Sequence, residues 1–554
     1  MTERTIMNRP QRWTEPFGSD MSDEDVERLM ARPEIAAIEA EKFPSHIPLR
    51  GILRNDARLM RYKAGDIIVR EGDYGNSAFL ILGGFVRVVL SPGLSRAIEG
   101  RSVIRKKNLW QSLSQIWKSS PFPEVRDMRN YQSKQSLRAG QKESEKTRVF
   151  IQDIPAVLDS QKTARLGTGE LFGELAALGR IPRTATVFAE DDTTVLLEIR
   201  WQGLRELSKY DPGWKRMVDE RYRENALKTH LSESTCFSKL NQETIQSIAG
   251  KTLFETYGTF DWHLSYQKYR KQGQGLAEHE PMISKQGDYP DGALLIRAGF
   301  ARVCMTFGTG ERTLTYLGKG DIFGLDEIYE AWKEKKEVSL QTSLRAVGYV
   351  DVLRVPTEIL ERHVFPGMAP PRRKLIDFSR HSIAQDSLLE WAVDERFINA
   401  TQAMVIDLEK CTRCDDCVRA CASTHEGNPR FIRHGKIIDH WMVANACMHC
   451  VDPVCMIGCP TGAIHRTETG GSVVINDNTC IGCGVCSNSC PYDNIRMVEI
   501  RDLKGKPVVD PKGQIPIMKA TKCDLCSTQL GGPACVRACP HDAVRRTDIL
   551  SFLS

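Results

Sequence analysis

The chain has 554 residues, too many for one hydrophobic core, and this length predicts about three or four domains. Its formal net charge of +5 is small for the length, so the chain carries no general basic field of the kind that binds nucleic acid, and nucleic acid is not an expected partner. Sixteen of the eighteen cysteines lie between Cys411 and Cys539, which indicates metal ligation rather than the disulfides of a small secreted protein.

The first nineteen residues are polar and lack the apolar core of a secretory signal. The longest apolar stretches, such as Ala78 to Leu82, are far below the ~20 residues that a membrane span needs. We therefore expect a cytoplasmic protein without direct membrane insertion.

Two related segments fill most of the first 365 residues. The run Gly72-Asp73-Tyr74 and the following Gly84-Phe85-Val86-Arg87-Val88 recur in similar form 215 residues later, whereas Gly169-Glu170-Leu171-Phe172-Gly173 recurs 151 residues later. The offsets differ by 64, so the first copy carries an insertion of that size. Short alternating apolar stretches with Gly-Asp turns predict antiparallel jelly-roll barrels in a multidomain α+β chain. The predicted boundaries are an N-terminal extension at 1–45, a first barrel at 46–230 and a second barrel at 231–365.

The insertion, at about 92–160, is rich in lysine and arginine. Apolar residues from Ile104 to Trp117 fall near helical spacing, which predicts one amphipathic helix. Two interpretations remain open: the helix lies on its own barrel beside a solvated basic loop, or the insertion is a docking site for a partner.

After a breaker-rich linker at 366–400, the last part of the chain, 401–554, contains four consecutive groups of four cysteines. The first and third groups have the spacing C-x2-C-x2-C-x3-C, and the second and fourth widen one internal gap. Three closely spaced thiolates wrap one [4Fe-4S] cubane while the fourth reaches a neighbouring cluster, so two groups build two clusters together. The predicted ligands are Cys411, Cys414, Cys417, Cys421, Cys447, Cys450, Cys455, Cys459, Cys480, Cys483, Cys486, Cys490, Cys523, Cys526, Cys535 and Cys539.

Zinc is the main alternative for any isolated C-x2-C pair, because a tetrahedral site needs only two such pairs. An uninterrupted C-x2-C-x2-C-x3-C run is poorly explained by zinc. His449, inside the second group, could replace a thiolate, but no cysteine is missing from that group. Cys236 and Cys304 are expected to be buried structural thiols.

In order and spacing, these groups resemble the four-cluster iron-sulfur subunits of the dimethyl sulfoxide reductase, formate dehydrogenase and polysulfide reductase families. The resemblance covers 401–554 and implies a double ferredoxin-like module in which the first and fourth groups share one pair of clusters and the second and third share the other. It implies four ligand sets: set A (Cys411, Cys414, Cys417, Cys539), set B (Cys421, Cys523, Cys526, Cys535), set C (Cys447, Cys450, Cys455, Cys490) and set D (Cys459, Cys480, Cys483, Cys486).

Residues 171–187 resemble the phosphate-binding cassette of cyclic nucleotide-binding domains. In that family the glutamate takes the ribose hydroxyl and the arginine takes the cyclic phosphate, which implies these roles for Glu174 and Arg183 with cAMP or cGMP as ligand. Gly173 lets the backbone approach a ligand, and a guanidinium neutralises a phosphate. The complete predicted site is Gly173, Glu174, Leu175, Arg183, Thr184 and Ala185, where Thr184 resembles cassettes that accept cGMP.

The second copy departs from the cassette. Leu325 follows Gly324 where the first copy has a glutamate, and the stretch from Val338 to Thr342 offers no arginine. We expect this copy to be structural and to bind no cyclic nucleotide.

These features predict an electron-transfer subunit of a multi-subunit oxidoreductase, without a substrate-converting site of its own, which works with catalytic subunits of the flavin, molybdopterin or hydrogenase type. A cyclic nucleotide at the first barrel would regulate it. Two alternatives remain: a redox- or nucleotide-sensing regulator of the Crp and Fnr type, and an assembly subunit whose barrels bind only protein partners.

Overall fold

The computed structural model describes residues 5–7, 21–89, 122–128, 163–258, 279–371 and 391–552, with short gaps inside the last three ranges. The chain forms two compact units. One joins residues up to 218 with residues 399–552, and the other spans 219–398. The amphipathic helix predicted between Ile104 and Trp117 and most of the predicted linker lie outside the described residues.

The first repeat is a sandwich of two antiparallel sheets with four strands each, in the orders β1-β8-β3-β6 and β2-β7-β4-β5. Its strands are β1 (Ala57–Tyr62), β2 (Ile67–Val69), β3 (Ser77–Gly83), β4 (Val86–Val89), β5 (Thr163–Leu166), β6 (Leu171–Phe172), β7 (Thr186–Ala189) and β8 (Thr194–Arg200). The described strands do not close into the barrel that the sequence predicted. The physical reason is that eight short strands are divided over two sheets, and four strands are too few to curl into a cylinder.

Helices complete the core of this first sandwich. They are α1 (Asp23–Met30), α2 (Pro33–Ala36), α3 (Leu49–Asp56), α4 (Trp201–Tyr210) and α5 (Pro212–Arg221). Ser22 caps α1 by accepting a bond from the Asp25 amide while the Asp25 carboxylate accepts one from the Ser22 amide. The α1 residues Val26 and Leu29 are buried in the same core as strand residues such as Leu80, so the segment from 21 to 45 packs as part of this sandwich.

The second repeat is built around two long, bent strands, β11 and β14. It contains α6 (Gln242–Lys251), β9 (Leu253–Gly258), β10 (Met282–Ser284), β11 (Gly292–Phe307), β12 (Gly310–Leu317), β13 (Ile322–Phe323), α7 (Leu325–Glu334) and β14 (Ser343–Pro356). The strands run in the order β10-β14-β11-β12, with β13 beside β11 and β9 beside β14. Here too the described strands form an open sheet.

The cysteine-rich domain, residues 399–552, is made of short strands and short helices. They are β15 (Ala403–Asp407), α8 (Asp416–Thr424), β16 (Ile432–Ile438), β17 (Trp441–Asn445), α9 (Val454–Ile457), β18 (Ile464–Arg466), β19 (Val473–Ile475), α10 (Val485–Ser489), β20 (Arg496–Glu499), β21 (Met518–Thr521), α11 (Ala534–Arg537) and β22 (Val544–Thr547). The larger sheet has the order β16-β17-β15-β22, and β18-β19 and β20-β21 are two-stranded.

The described part of the insertion, 122–128, packs against the cysteine-rich domain of the same chain. The Arg126 amide donates to the Arg501 carbonyl at 2.7 Å, and the Arg501 amide donates to the Glu124 carbonyl at 3.0 Å. Met128 and the N-terminal Met7 cover the buried Ile500, Val508 and Ile517. The two interpretations that the sequence left open depend on the helix and the basic loop, which lie outside the described residues.

None of the helices in the described part of the chain combines the length and apolar character that crossing a membrane requires.

Candidate functional site

Strand pairing explains which cysteine groups lie together. Strand β22 directly follows the fourth group and pairs with β15, which directly precedes the first group. Strand β18 follows the second group and pairs with β19, which precedes the third. The first pairing places the end of the fourth group beside the start of the first group. The second pairing places the end of the second group beside the start of the third.

The C-x2-C-x2-C loops turn tightly through left-handed backbone. In the third group the two turning positions are Gly482 and Gly484, with φ of 69° and 78°, and a side-chain carbon at Gly482 would lie 2.1 Å from the Met518 carbonyl oxygen. The same positions of the first group are Arg413 and Asp415, with φ of 62° and 61°. Glycine adopts this backbone freely, whereas other residues adopt it at a cost. The loop geometry is therefore retained even where the sequence lacks glycine.

Sets C and D are each brought together in space. Burial raises the pKa of Cys450, and the adjacent Cys447 and Cys490 thiolates raise it further. Burial likewise raises the pKa of Cys455, with Cys490 and Cys447 again the next causes. The four cysteines of set D line one largely apolar cavity together with Ile464, Ile475 and Met497.

The cysteines of sets A and B also lie near one another. Burial raises the pKa of Cys421, and the neighbouring thiolates of Cys523, Cys526 and Cys535 add to the rise. In set A, Cys411 and Cys417 both lie beside the Arg433 guanidinium. Cys539 is connected to them through Ala543, whose amide donates to the Cys539 Sγ at 3.3 Å. The Ala543 carbonyl accepts from the Asp407 amide, and the Asp407 carbonyl accepts from the Cys411 amide.

This donor chemistry fits [4Fe-4S] clusters. All sixteen thiols are free of disulfides, and most are buried. Burial without a metal is unfavourable for a thiolate, and coordination to iron removes that penalty.

The four sets follow one another in the order A, B, C, D. Cys417 of set A interacts with Cys535 of set B, and Cys523 of set B interacts with Cys447 of set C. Helix α9, which contains Cys455 of set C, packs on α10, which contains Cys486 of set D. Cys414 and Cys483 are the two exposed cysteines, and they belong to the terminal sets A and D.

Two cations, the buried Lys522 and the half-buried Arg546, lie between sets B and C. The Lys522 ammonium donates to Cys447 Sγ at 3.2 Å, and Arg546 donates to Cys523 Sγ at 3.0 Å. Burial would lower the pKa of Lys522, but the nearby Cys447 and Cys455 thiolates outweigh it and raise that pKa. Sequence analysis missed both residues; the one available signal was the position of Lys522 directly before Cys523.

His449 is not placed as a ligand. Its Nδ1 accepts a hydrogen bond from the Val473 amide at 3.1 Å, and the ring is 2% exposed. Burial lowers the pKa of this imidazole, so the neutral ring serves as an acceptor within the fold.

In the first sandwich, two backbone carbonyls hold the Arg183 guanidinium. Arg183 Nη1 donates to the Gly173 carbonyl at 2.7 Å and Nη2 donates to the Ser77 carbonyl at 2.8 Å. Glu174 and Arg183 are 3% and 6% exposed. A side-chain carbon added at Gly75 would lie 2.1 Å from the guanidinium, so this cradle requires glycine. Ala185 is half-buried, and Leu175 and Thr184 lie outside the described residues.

The second repeat has leucines at the positions that correspond to Glu174 and Arg183 of the first repeat. Leu325 follows Gly324, and Leu340 takes the place of Arg183: Leu340 exchanges backbone bonds with Gly287 and Asp288, as Arg183 does with Gly72 and Asp73. Leu340 is 4% exposed and belongs to the repeat's apolar core. Neither side chain can bind a ribose hydroxyl or a phosphate. Cys304 is buried in β11 and Cys236 packs against a second core of this unit.

Comparisons with known proteins identify both regions. Residues 438–549 match the 4Fe-4S dicluster domain family, and residues 157–211 match the cyclic nucleotide-binding domain family. The electron transport protein YsaA of Escherichia coli is 34% identical over 156 residues, which cover 26% of this chain and 89% of that protein. The E. coli electron transport protein HydN is 32% identical over 156 residues, covering 26% of this chain and 85% of HydN.

Formate hydrogenlyase subunit 2 of E. coli is 30% identical over 168 residues, covering 26% of this chain and 81% of that protein. Among solved structures, the regulatory domain of Toxoplasma gondii PKA with cAMP is 14% identical with a TM-score of 0.20, covering 62% of this chain and 93% of that one. That structural likeness is too low to carry an argument. The sequence relatives show that the chain belongs to the 4Fe-4S electron-transport protein family of YsaA and HydN, as an iron-sulfur electron-transfer protein fused to a cyclic nucleotide-binding domain.

Proposed function

We propose that the chain relays single electrons along four [4Fe-4S] clusters held by sets A to D. The observation that carries this proposal is the exposure of Cys414 and Cys483 at the two ends of the row of sets. A [4Fe-4S] cluster, when bound, supplies a one-electron redox couple. A row with accessible ends and a buried middle suits transfer between two external partners.

The protein's own residues tune this row at its centre. Lys522 and Arg546 place positive charge against the sulfurs of Cys447 and Cys523. Positive charge and hydrogen bonds at ligand sulfurs favour the more negative, reduced state. These two cations are therefore suited to keep sets B and C reducible in a buried environment.

The expected partners are catalytic oxidoreductase subunits of the flavin, molybdopterin or hydrogenase type. Support comes from the names of relatives: one is subunit 2 of formate hydrogenlyase, and another is subunit beta of an NADH-dependent phenylglyoxylate dehydrogenase. The test is affinity purification of the native complex under anaerobic conditions, followed by identification of the co-purified subunits. Recovery of the chain alone at native abundance would contradict the partnership.

The first sandwich is proposed to bind cAMP or cGMP. The cassette residues would be Gly173, Glu174, Leu175, Arg183, Thr184 and Ala185, with Glu174 on the ribose and Arg183 on the cyclic phosphate. The glycine cradle around the guanidinium supports this assignment.

The relay is tested by anaerobic reductive titration of the reconstituted chain. We expect the protein to accept about four electrons, one for each cluster. Cys483→Ala should lower this capacity by about one electron, because set D loses a ligand. Cys304→Ala is the matched control, since Cys304 is a cysteine outside the four sets. A capacity unchanged by Cys483→Ala would contradict the assignment of set D.

The nucleotide site is tested by calorimetry with cAMP and with cGMP. Arg183→Ala should abolish binding. Arg165→Ala is the control, because Arg165 lies in the same sandwich but is 53% exposed and pairs with Glu190 at the surface. Absence of binding by the wild-type protein, or equal binding by Arg183→Ala, would refute the assignment.

A further inference from the structure

The first sandwich and the cysteine-rich domain belong to one compact unit, and side chains of the sandwich reach the peptide groups that carry cluster ligands. The first contact lies at the junction of β8 and α4. Arg200 Nη1 donates to the Thr461 carbonyl at 2.8 Å, and Gln202 Nε2 donates to the Cys459 carbonyl at 3.2 Å. Both side chains are almost fully buried, and Asp56 fixes Arg200 by accepting from its Nε at 2.7 Å.

This first contact ends at set D. Cys459 is a ligand of the set, and Thr461 lies two residues beyond it. The Thr461 hydroxyl donates to the Thr479 carbonyl at 2.9 Å, directly before the set D ligand Cys480. The sandwich thus holds the backbone that follows Cys459 directly, and through Thr461 it is connected to the backbone that precedes Cys480.

The second contact ends at set C. Arg466 stacks its guanidinium over the Tyr74 ring, with 5.0 Å between Cζ and the ring centroid. The same guanidinium donates to the carbonyls of Cys450 and Val451, both at 2.7 Å. Tyr74 also packs against Gly471, where any side-chain carbon would lie 2.2 Å from the ring. Cys450 is a ligand of set C.

Both contacts begin beside Arg183. Tyr74 pairs with Pro182, the residue before Arg183, in an antiparallel bridge. Arg183 Nη2 bonds the Ser77 carbonyl, and the preceding residue, Asn76, accepts from the Trp201 amide at 2.7 Å. Trp201 lies between Arg200 and Gln202. A change in the position of the Arg183 guanidinium therefore acts on the two segments that contact sets C and D.

We propose that the occupancy of the nucleotide site is coupled to the redox state of the clusters of sets C and D through these two contacts. The inference rests on the proposed nucleotide and cluster sites. Peptide groups around ligand sulfurs set the potential of a cluster, so a nucleotide that shifts Arg183 shifts the potential of these two sets. By thermodynamic linkage, reduction then changes nucleotide affinity by the same factor. Each cluster takes one electron from an external reductant, which is dithionite in the test below.

The experiment measures cAMP and cGMP affinity by anaerobic calorimetry, with the full chain either oxidised or reduced by dithionite. We expect affinities that differ at least several-fold between the two states; a tenfold difference for a one-electron couple corresponds to about 59 mV in potential. In an EPR-monitored titration, the nucleotide should shift the potentials of two clusters and leave the other two, assigned to sets A and B, in place.

Two variants separate coupling from folding. Gln202→Ala removes the bond to the Cys459 carbonyl of set D, and Tyr74→Leu removes the ring that stacks on Arg466 next to set C; neither changes the cassette side chains. Each should keep the affinity of the oxidised protein and reduce the redox dependence, whereas Tyr74→Phe should keep that dependence because the stacked ring remains. Equal affinity of oxidised and reduced wild-type protein would overturn the coupling alone. Absence of binding in both states would overturn the coupling together with the proposed nucleotide site.

Discussion

Replacing Lys522 by methionine should lower the reduction potential of the set C cluster. The substitution keeps the length of the side chain and removes a positive charge 3.2 Å from Cys447 Sγ. At an effective dielectric constant of about 20, two unit charges at that distance interact by about 5 kcal/mol, which is about 220 mV for a one-electron couple. The charge of an added electron is shared among the cluster core and its four thiolates. We therefore expect the potential to fall by roughly a quarter of the full pairwise value, on the order of 50 mV.

The assay is an anaerobic redox titration followed by EPR, with iron content measured first to verify that all clusters are retained. The carbonyls of Val473 and Cys523, which accept from the ammonium in the wild type, lose that donor at a cost of about 1–3 kcal/mol in stability. Lys504→Met is the matched control, because Lys504 is exposed. If Lys522→Met leaves every potential unchanged, or raises one, the electrostatic role assigned to Lys522 is wrong.

The other predictions concern the two repeats. Gly75→Ala should reduce nucleotide affinity at least tenfold, because the new carbon would lie 2.1 Å from the Arg183 guanidinium, whereas Gly83→Ala meets nothing within 4 Å and should bind normally; equal affinities in calorimetry would refute the cradle. Glu280→Leu should lower the free energy of unfolding of the second repeat by about 3–5 kcal/mol, since it leaves Arg302 and Arg396, which pair with Glu280 at 2.7 and 3.0 Å, without this buried counterion. Glu24→Leu should cost less than about 0.5 kcal/mol, because its pair with Arg28 is exposed; similar denaturation midpoints for the two leucine variants would contradict this ranking.

The cysteine pattern and the repeat could be predicted because both are encoded locally. The spacing C-x2-C-x2-C-x3-C specifies a loop around a cubane whatever residues lie between. The turning positions illustrate this, since Arg413 and Asp415 adopt the same left-handed backbone as Gly482 and Gly484.

Contacts between distant parts of the chain could not be predicted. Arg200 and Gln202 look like ordinary residues at the junction of a strand and a helix, and only the fold brings them to Thr461 and Cys459. Arg546 follows the last cysteine group, yet it contacts Cys523 because β22 pairs with β15. Sequence spacing carries no information on such charges.

The second repeat shows why sequence offsets mislead around an insertion. The cassette offset of 151 would align Arg183 with Glu334, the last residue of α7. The backbone bonds show that Leu340 is the equivalent residue, because the second repeat has six more residues in this segment. The sequence showed that the second repeat lacks the arginine, but it did not show that Leu340 takes its position.

The measurement that tests the central claim most directly is the metal and sulfide content of the full chain, prepared and analysed without oxygen. Four sets of four thiolates predict about sixteen irons and sixteen acid-labile sulfides per chain, with paramagnetic signals appearing on reduction by dithionite. Zinc in place of iron, or iron without labile sulfide, would contradict the four clusters and the electron-transfer role built on them.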